Sequence, residues 1–508
     1  MVIHLKHNRI KVLVFLGTIL IFSYIFCICF KTDSLSNVDF NSLTYNENLV
    51  TGLYVDNVFC SYDSASRIYY SNSDKVSNIS FNSIYSNLNY KVSSMSNNEY
   101  SVYVYNDVYY NKLNLVVTSM PLVNIYSLDV GKYAYPVKDF RKFSFLNETS
   151  DDGAKLISIN INNILQNNGR KSFSSSAVMS VRGASSTFFQ KKAYKIEMNE
   201  RFGMYGLKDD NIWVLDALCA DSSKVRNKLS SDLWNLINDN QSVNNDLNGS
   251  FVEVFIDNEY RGLYVLKEKV DGGVTNISDN GLLLKAIGHL DSGSINKLIN
   301  DGYSSSDSRV LNFEVKKSTD ETLDSFLRKV RNYYVNNRNY DSTVSTFEMN
   351  NYLNYKIFVA LLSGEDNVTS NQYYSMIDKN SKVLITPWDM DLTWGAYWNL
   401  GRQTLSEFLW DRDYSYEWLS NVAFTGVDGK TMTLMKERYW ELRKDIINID
   451  TIDDYLESYK SLLVESGAAA RDSERWFSYD VEFEIDQIRK WAEKRIDFLD
   501  GYFSQNFY

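Results

Sequence analysis

The amino-acid sequence predicts an α+β protein with two lobes, preceded by a small β-rich domain and an N-terminal transmembrane helix. Three observations lead there. An uncharged apolar run fills residues 12–30, period-two alternation marks residues 49–118, and beyond Met120 strand-like and helix-like patterns alternate before a charged helical stretch over 436–502. At 508 residues the chain exceeds what one hydrophobic core organises, and 44% hydrophobic content supplies more than one. The predicted divisions are a cytoplasmic N-terminus at 1–11, the anchor at 12–30, a polar tether at 31–48, the β-rich domain at 49–118 and the main domain at 119–508. Its first lobe runs to about 270 and its helical second lobe covers 271–508.

Composition narrows the chemistry. The 53 Lys+Arg against 64 Asp+Glu leave a net charge of −11 with no long basic block, which argues against nucleic acid as a partner. Only three histidines occur. His4 and His7 precede the apolar run, so His289 is the one imidazole left for a folded site, and a His-rich zinc centre or a histidine-dependent triad is excluded. Cys27 and Cys29 lie in the run, which leaves Cys60 and Cys219 without CxxC spacing and without a readable disulfide framework. Carboxylates, lysines, arginines and amides must carry any reaction.

Lys6, Arg9 and Lys11 precede the apolar run, whose length suits the roughly 20 residues that cross a bilayer. Its end, Phe26 to Phe30, is too bulky for signal cleavage, so an uncleaved anchor is expected. Positive residues before it put the N-terminus in the cytoplasm and the remainder on the far side, as a single-pass membrane protein with an extracytoplasmic C-terminal region.

Past Met120 the elements come in an informative order. A strand at Ala177 to Val181 runs into the small-residue turn Arg182-Gly183-Ala184-Ser185-Ser186. A second strand follows, with Lys192, Tyr194, Ile196 and Met198 on its inward face and Lys191 and Lys195 outward. Asp221 caps a helix, after which Phe251 to Ile256 and Gly262 to Leu266 flank a turn and lead to Glu268 at a hinge. Another helix stops at Ser363-Gly364, followed by Asp366 and Asn371. A hairpin then ends in Pro387-Trp388-Asp389-Met390-Asp391. Trp388 and Trp394 read as core aromatics.

Phosphoryl transfer needs a cation for phosphates, oxygen ligands for magnesium and a base or orienter at the attacking hydroxyl. Small-residue loop, lysine strand, helix, hairpin, hinge, helix, Asp-x4-Asn loop, hairpin and Asp is the order of parts in a protein-kinase core, although the HRD and DFG strings are absent. The stretches VRGASSTFFQKKAYKIEM, WVLDALCADSSKVRNKL, FVEVFIDNEYRGLYVLKEKV, PWDMDLTWG and KWAEKRIDFLDGYF, with the loop from Asp366 to Tyr374, resemble the CotH family of atypical, spore-coat-associated protein kinases. The resemblance spans about 120–508.

It implies a bilobal protein-kinase-like fold that transfers the ATP γ-phosphate to Ser or Thr of proteins, with Mg2+ or Mn2+ as metal. Asp366 matches the catalytic-loop aspartate, Asn371 a metal ligand and Asp389 the second metal ligand, with Asp391 beside it as the alternative. Lys192 matches the phosphate lysine, and Arg182, Ser185, Ser186 and Glu268 stand at nucleotide-contact positions. The helix after the lysine strand matches at Arg226 and Asn227 but offers only Asp232 where kinases place a glutamate for that lysine. Acceptors would be spore-coat or cell-surface proteins, with the acidic charge favouring basic, Ser-rich ones. Two other readings use the same residues: a coat scaffold or adhesion module without turnover, and a glycoside hydrolase built on Asp366, Asp389 and Asp391.

Overall fold

The computed structural model describes residues 38–73, 76–96, 98–128, 155–166, 169–183, 185–204, 207, 209–238, 247–271, 275, 277–286, 309–310, 313–336, 338–364, 366–396 and 428–504. The chain divides into two compact units. Of the described residues, the first holds those up to Cys60 with Ser66–Ser71 and those between 75 and 117; the second holds Ser61–Ala65, those between 72 and 74 and those from Thr118 onward.

In the first unit the strands Asn89–Ser96, Glu99–Tyr105 and Tyr109–Val117 pair antiparallel. Alternation sets their faces: Val102 and Val104 are buried, while Tyr103 and Tyr105 are half-buried on the opposite face and meet the Phe40 ring.

The second unit begins with a closed seven-stranded barrel. Its strands are β1 (Leu122–Ser127), β2 (Lys155–Gln166), β3 (Gly169–Arg182), β4 (Ala193–Phe202), β5 (Asp210–Asp216), β6 (Gly249–Ile256) and β7 (Glu259–Glu268). The order around the barrel is β1-β2-β3-β4-β5-β7-β6, and β6 closes it by pairing parallel with β1. Alternate residues fill the interior, among them Met179, Tyr194, Ile196, Leu215, Val254 and Leu266. The same alternation turns Lys195, Asp216 and Lys267 outward. Between β6 and β7, Asp257 and Asn258 have φ of 52° and 60°, the left-handed pair of a tight two-residue hairpin turn.

After the barrel comes a five-stranded sheet of β8 (Leu282–Ala286), β9 (Arg309–Val310), β10 (Phe313–Lys317), β11 (Gln372–Met376) and β12 (Leu384–Pro387), in the order β9-β10-β8-β11-β12. The helices are α1 (Arg226–Asn238), α2 (Asp320–Val335), α3 (Tyr340–Thr346), α4 (Met349–Leu362), α5 (Asp366–Thr369), α6 (Gly429–Asp445), α7 (Ile449–Lys460), α8 (Ala468–Arg475) and α9 (Val481–Ser504). Every α4 residue from Asn351 to Leu362 is buried, polar Asn351, Asn354 and Lys356 included, so α4 is a central helix enclosed on all sides rather than an amphipathic surface one.

Two sequence expectations are corrected here. The two-lobed α+β frame gives way to a mixed α/β arrangement with a closed barrel, because closure joins β1 to β6 across more than a hundred residues and alternation within a strand carries no record of its partner. The membrane anchor and the topology built on it are set aside. Among the described residues no helix is long and apolar enough to cross a membrane. Residues 12–30 lie outside the described residues, as does His289, and apolarity alone reports the cost of leaving a run in water, not a formed span.

Candidate active site

Two loops meet beyond the C-terminal end of α4. The helix stops where Ser363 turns left-handed, with φ of 51°, and its N–H bonds back to the carbonyls of Val359 and Ala360. The left-handed stop is thus Ser363 and not Gly364. Gly364 has a different task, since a Cβ there would stand 2.8 Å from the Asn367 Oδ1. The chain continues through α5, which opens with Asp366, to Asn371 at φ of 50° and then into β11. The second loop leaves β12 at Pro387 and passes through Trp388 to Asp389, at φ of 54°. Asn and Asp tolerate this conformation better than other side-chain-bearing residues.

Hydrogen bonds stitch the loops together. The Trp388 N–H donates to the Asn371 carbonyl at 2.9 Å. Asn367 Nδ2 donates to the Asn371 carbonyl at 3.0 Å and to the Trp388 carbonyl at 2.8 Å. The buried Tyr355 hydroxyl on α4 donates to the Asn367 carbonyl at 2.6 Å. Asp366, Asn371, Asp389 and Asp391, each half-buried, are thereby held in one neighbourhood.

Charge in that neighbourhood is concentrated and mostly negative. Burial first, then the carboxylates of Asp389, Asp216, Asp221 and Asp366, push the Asp391 carboxyl well above the usual carboxylate range. Asp216, at the end of β5, is the counter-example. Burial opposes its charged form, but the Lys267 ammonium at 2.5 Å and the Arg182 guanidinium outweigh it and hold its carboxyl below the usual value. Asn227 on α1 donates to Asp216 at 3.1 Å. Asp221 is occupied by Arg226, whose Nη1 lies 2.5 Å away and whose backbone N–H donates to it at 2.8 Å.

The cations come from the barrel and the sheet. Arg182 and Lys267 both sit over the Trp388 ring, at 5.7 and 4.6 Å from its centroid. Trp388 is buried, as expected, but its face is turned to these two cations. Lys285 on β8 is half-buried; burial and the like charges of Arg182 and Lys316 lower its pKa while Asp389 raises it. Lys267, Asp216, Asn227, Glu268, Trp388 and Asp389 line a common narrow cleft.

The sequence-expected residues divide accordingly. Asp366, Asn371, Asp389, Asp391 and Arg182 gather around the acid group, and buried Glu268 lines the cleft beside them. Lys192 is turned elsewhere: its Nζ donates to the carbonyls of Thr187 and Phe189 at 2.6 and 2.7 Å, bracing the 3-10 turn Ser185–Phe188 that contains Ser185 and Ser186. Gly183 is needed before that turn, because at φ of 120° a Cβ would come 2.0 Å from the Ser186 Oγ.

Lys191, expected outward, is fully buried against Asp472, since β4 starts only at Ala193 and strand alternation does not reach back to it. Asp232 pairs with Lys228 on its own helix at 2.5 Å. The residues missed in sequence are Asp216, Lys267, Lys285 and Asn367. The first two were findable as outward positions of alternating strands, but not as partners.

A divalent cation fits this donor set. The oxygens are hard, the acids face one another, and Asn371 adds a neutral amide. Among the described residues no three His, Cys, Asp or Glu side chains converge as a complete cage.

The two loops thus carry carboxylates and an amide, and the Lys267–Asp216 pair on the barrel lies beside them. The family model described as CotH kinase protein matches residues 179–499, more than half of the chain, and the chain belongs to the CotH family. Among curated proteins none matches it.

Proposed function

We propose that the protein is an ATP-dependent Ser/Thr protein kinase whose cleft holds the nucleotide between the outer face of the barrel and the two stitched loops. The observation that carries this reading is the meeting of the Asp366–Asn371 loop with the Asp389–Asp391 loop through Asn367, opposite the Lys267–Asp216 pair. A bound divalent cation, Mg2+ or Mn2+, would neutralise the phosphate oxygens of ATP.

Asn371 with Asp389 or Asp391 would hold that cation. Asp366 orients the acceptor hydroxyl and takes its proton as the γ-phosphate is transferred. Lys267 presents positive charge to the phosphates, and Asp216 fixes its ammonium, the task that a helix glutamate performs in other kinases. Arg182 adds a second positive group across Trp388. Lys192 supports the turn after Arg182 rather than the phosphates. The chain's net charge of −11 favours basic, Ser-rich acceptor proteins, with coat proteins the family-based expectation.

Incubation with γ-labelled ATP and Mg2+ or Mn2+, comparing wild type with Asp366→Ala and Asp389→Ala, tests the reading. Labelling of a Ser-rich protein substrate by wild type and its loss in both variants is expected. Equal labelling by all three overturns the site, and glycan cleavage without use of ATP replaces the kinase reading with a hydrolase.

A further inference from the structure

We infer that Asn367 is a positioning residue: its side-chain amide sets the spacing of the two acid-bearing loops and, through that spacing, the affinity of the site for a divalent cation. This rests on the proposed reading of the acids as a cation site. Both amide hydrogens are committed, one to the carbonyl of Asn371 and one to the carbonyl of Trp388, at 3.0 and 2.8 Å. One acceptor is itself an expected metal-ligand residue, and the other directly precedes Asp389.

Two further polar atoms of Asn367 are constrained as well. Its Oδ1 lies against Gly364, where a Cβ would stand 2.8 Å away, and its backbone carbonyl accepts the Tyr355 hydroxyl from the central helix at 2.6 Å. The residue is only 1% exposed. With both donors spent on carbonyls and its oxygen packed on a glycine, Asn367 acts through the loops and not as a ligand. No other residue type places two donors at this length: Asp offers none, Ser one, and Gln is a methylene longer. Outer-shell groups that orient metal ligands typically alter metal affinity ten- to a hundredfold.

The test is Mn2+ binding to the full chain, read as free Mn2+ by electron paramagnetic resonance, in wild type, Asn367→Leu and Tyr355→Phe. The measurement is made well below the melting temperature with the native circular-dichroism spectrum verified. Asn367→Leu keeps the volume and removes both donors, so affinity should fall about ten- to a hundredfold, while Tyr355→Phe, which only loosens the amide, weakens it a few-fold. Where Asn367→Leu fails to fold, Gly364→Ala carries the same test by pushing the amide off its acceptors. Wild-type affinity in the folded variants overturns the inference and leaves the kinase reading standing. Absence of Mn2+ binding by wild type overturns both.

Discussion

Asp472 and its neighbour Glu253 each meet a cation, whereas around Asp391 carboxylate faces carboxylate. The Asp472 Oδ1 accepts from the Lys191 ammonium at 2.7 Å and from the Leu263 N–H at 2.9 Å, and its Oδ2 accepts from the Tyr479 hydroxyl at 2.9 Å. Next to it Arg471 grips Glu253 with two bonds of 2.9 and 2.7 Å, and Tyr260 donates to the same carboxylate at 2.7 Å. These bonds fasten α8 to the barrel. The chain is therefore able to bury acids with full compensation. At Asp391, by contrast, burial and the neighbouring carboxylates raise the carboxyl, an arrangement that supports the cation site proposed above.

Removing an acid should consequently have opposite effects in the two places. At the acid group, Asp389→Asn is expected to lower phosphate transfer by at least about a hundredfold, the scale of losing one electrostatic stabiliser, while the melting temperature without ligand rises slightly because repulsion is relieved. Retained transfer would show that Asp389 is not a ligand. At the other cluster, Asp472→Ala strands the buried Lys191 ammonium and should cost about 3–5 kcal/mol of stability in a urea titration. A loss below about 1 kcal/mol, the scale of an exposed pair, would mean that the cluster does not fasten the fold.

The two lysines sharpen the contrast further. Lys267→Met should raise the KM for ATP several-fold with the fold intact. Lys192→Met should instead loosen the Ser185–Phe188 turn and lower the melting temperature with ATP affinity less affected. The reverse pattern would return the phosphate role to Lys192.

The smallest effect concerns Lys356, which sits on α4 in an aromatic pocket formed by Tyr333 and Tyr334 of α2, Tyr352 of its own helix and Tyr374 of β11. Its ammonium lies 5.3 Å from the Tyr352 ring centroid, and burial, aided by the Arg338 charge, lowers its pKa from 10.5 to about 7. A lysine depressed in the folded state binds fewer protons there than when unfolded. Stability should therefore rise with pH from about 7 toward 10.5 and gain nothing from this group below about 7. Urea midpoints taken between roughly pH 7 and 9, below the usual tyrosine range, should climb for wild type relative to Lys356→Met. Parallel curves would mean that Lys356 stays charged.

Much of this was legible locally. Tyr194, Ile196 and Met198 alternate because they line the barrel, and Asp366-x4-Asn371 followed by a hairpin and Asp389 puts both loops at one end of a short β-pair. What was not legible is every relation between distant strands. Lys267 and Asp216 look like ordinary outward residues until β5 and β7 pair, and Lys191 looks outward until its strand is seen to begin two residues later. Alternation reports which side a residue faces, and only closure of the barrel decides what stands there.

The most direct measurement is the melting temperature of wild type and of the Asp389→Asn, Asp391→Asn double variant, with and without Mg2+ and a non-hydrolysable ATP analogue. Without ligand the variant should melt higher than wild type, because repulsion has been removed, and with ligand only wild type should gain. A variant that melts lower without ligand and gains as much as wild type with it would contradict the assignment of these acids to a cation and its nucleotide.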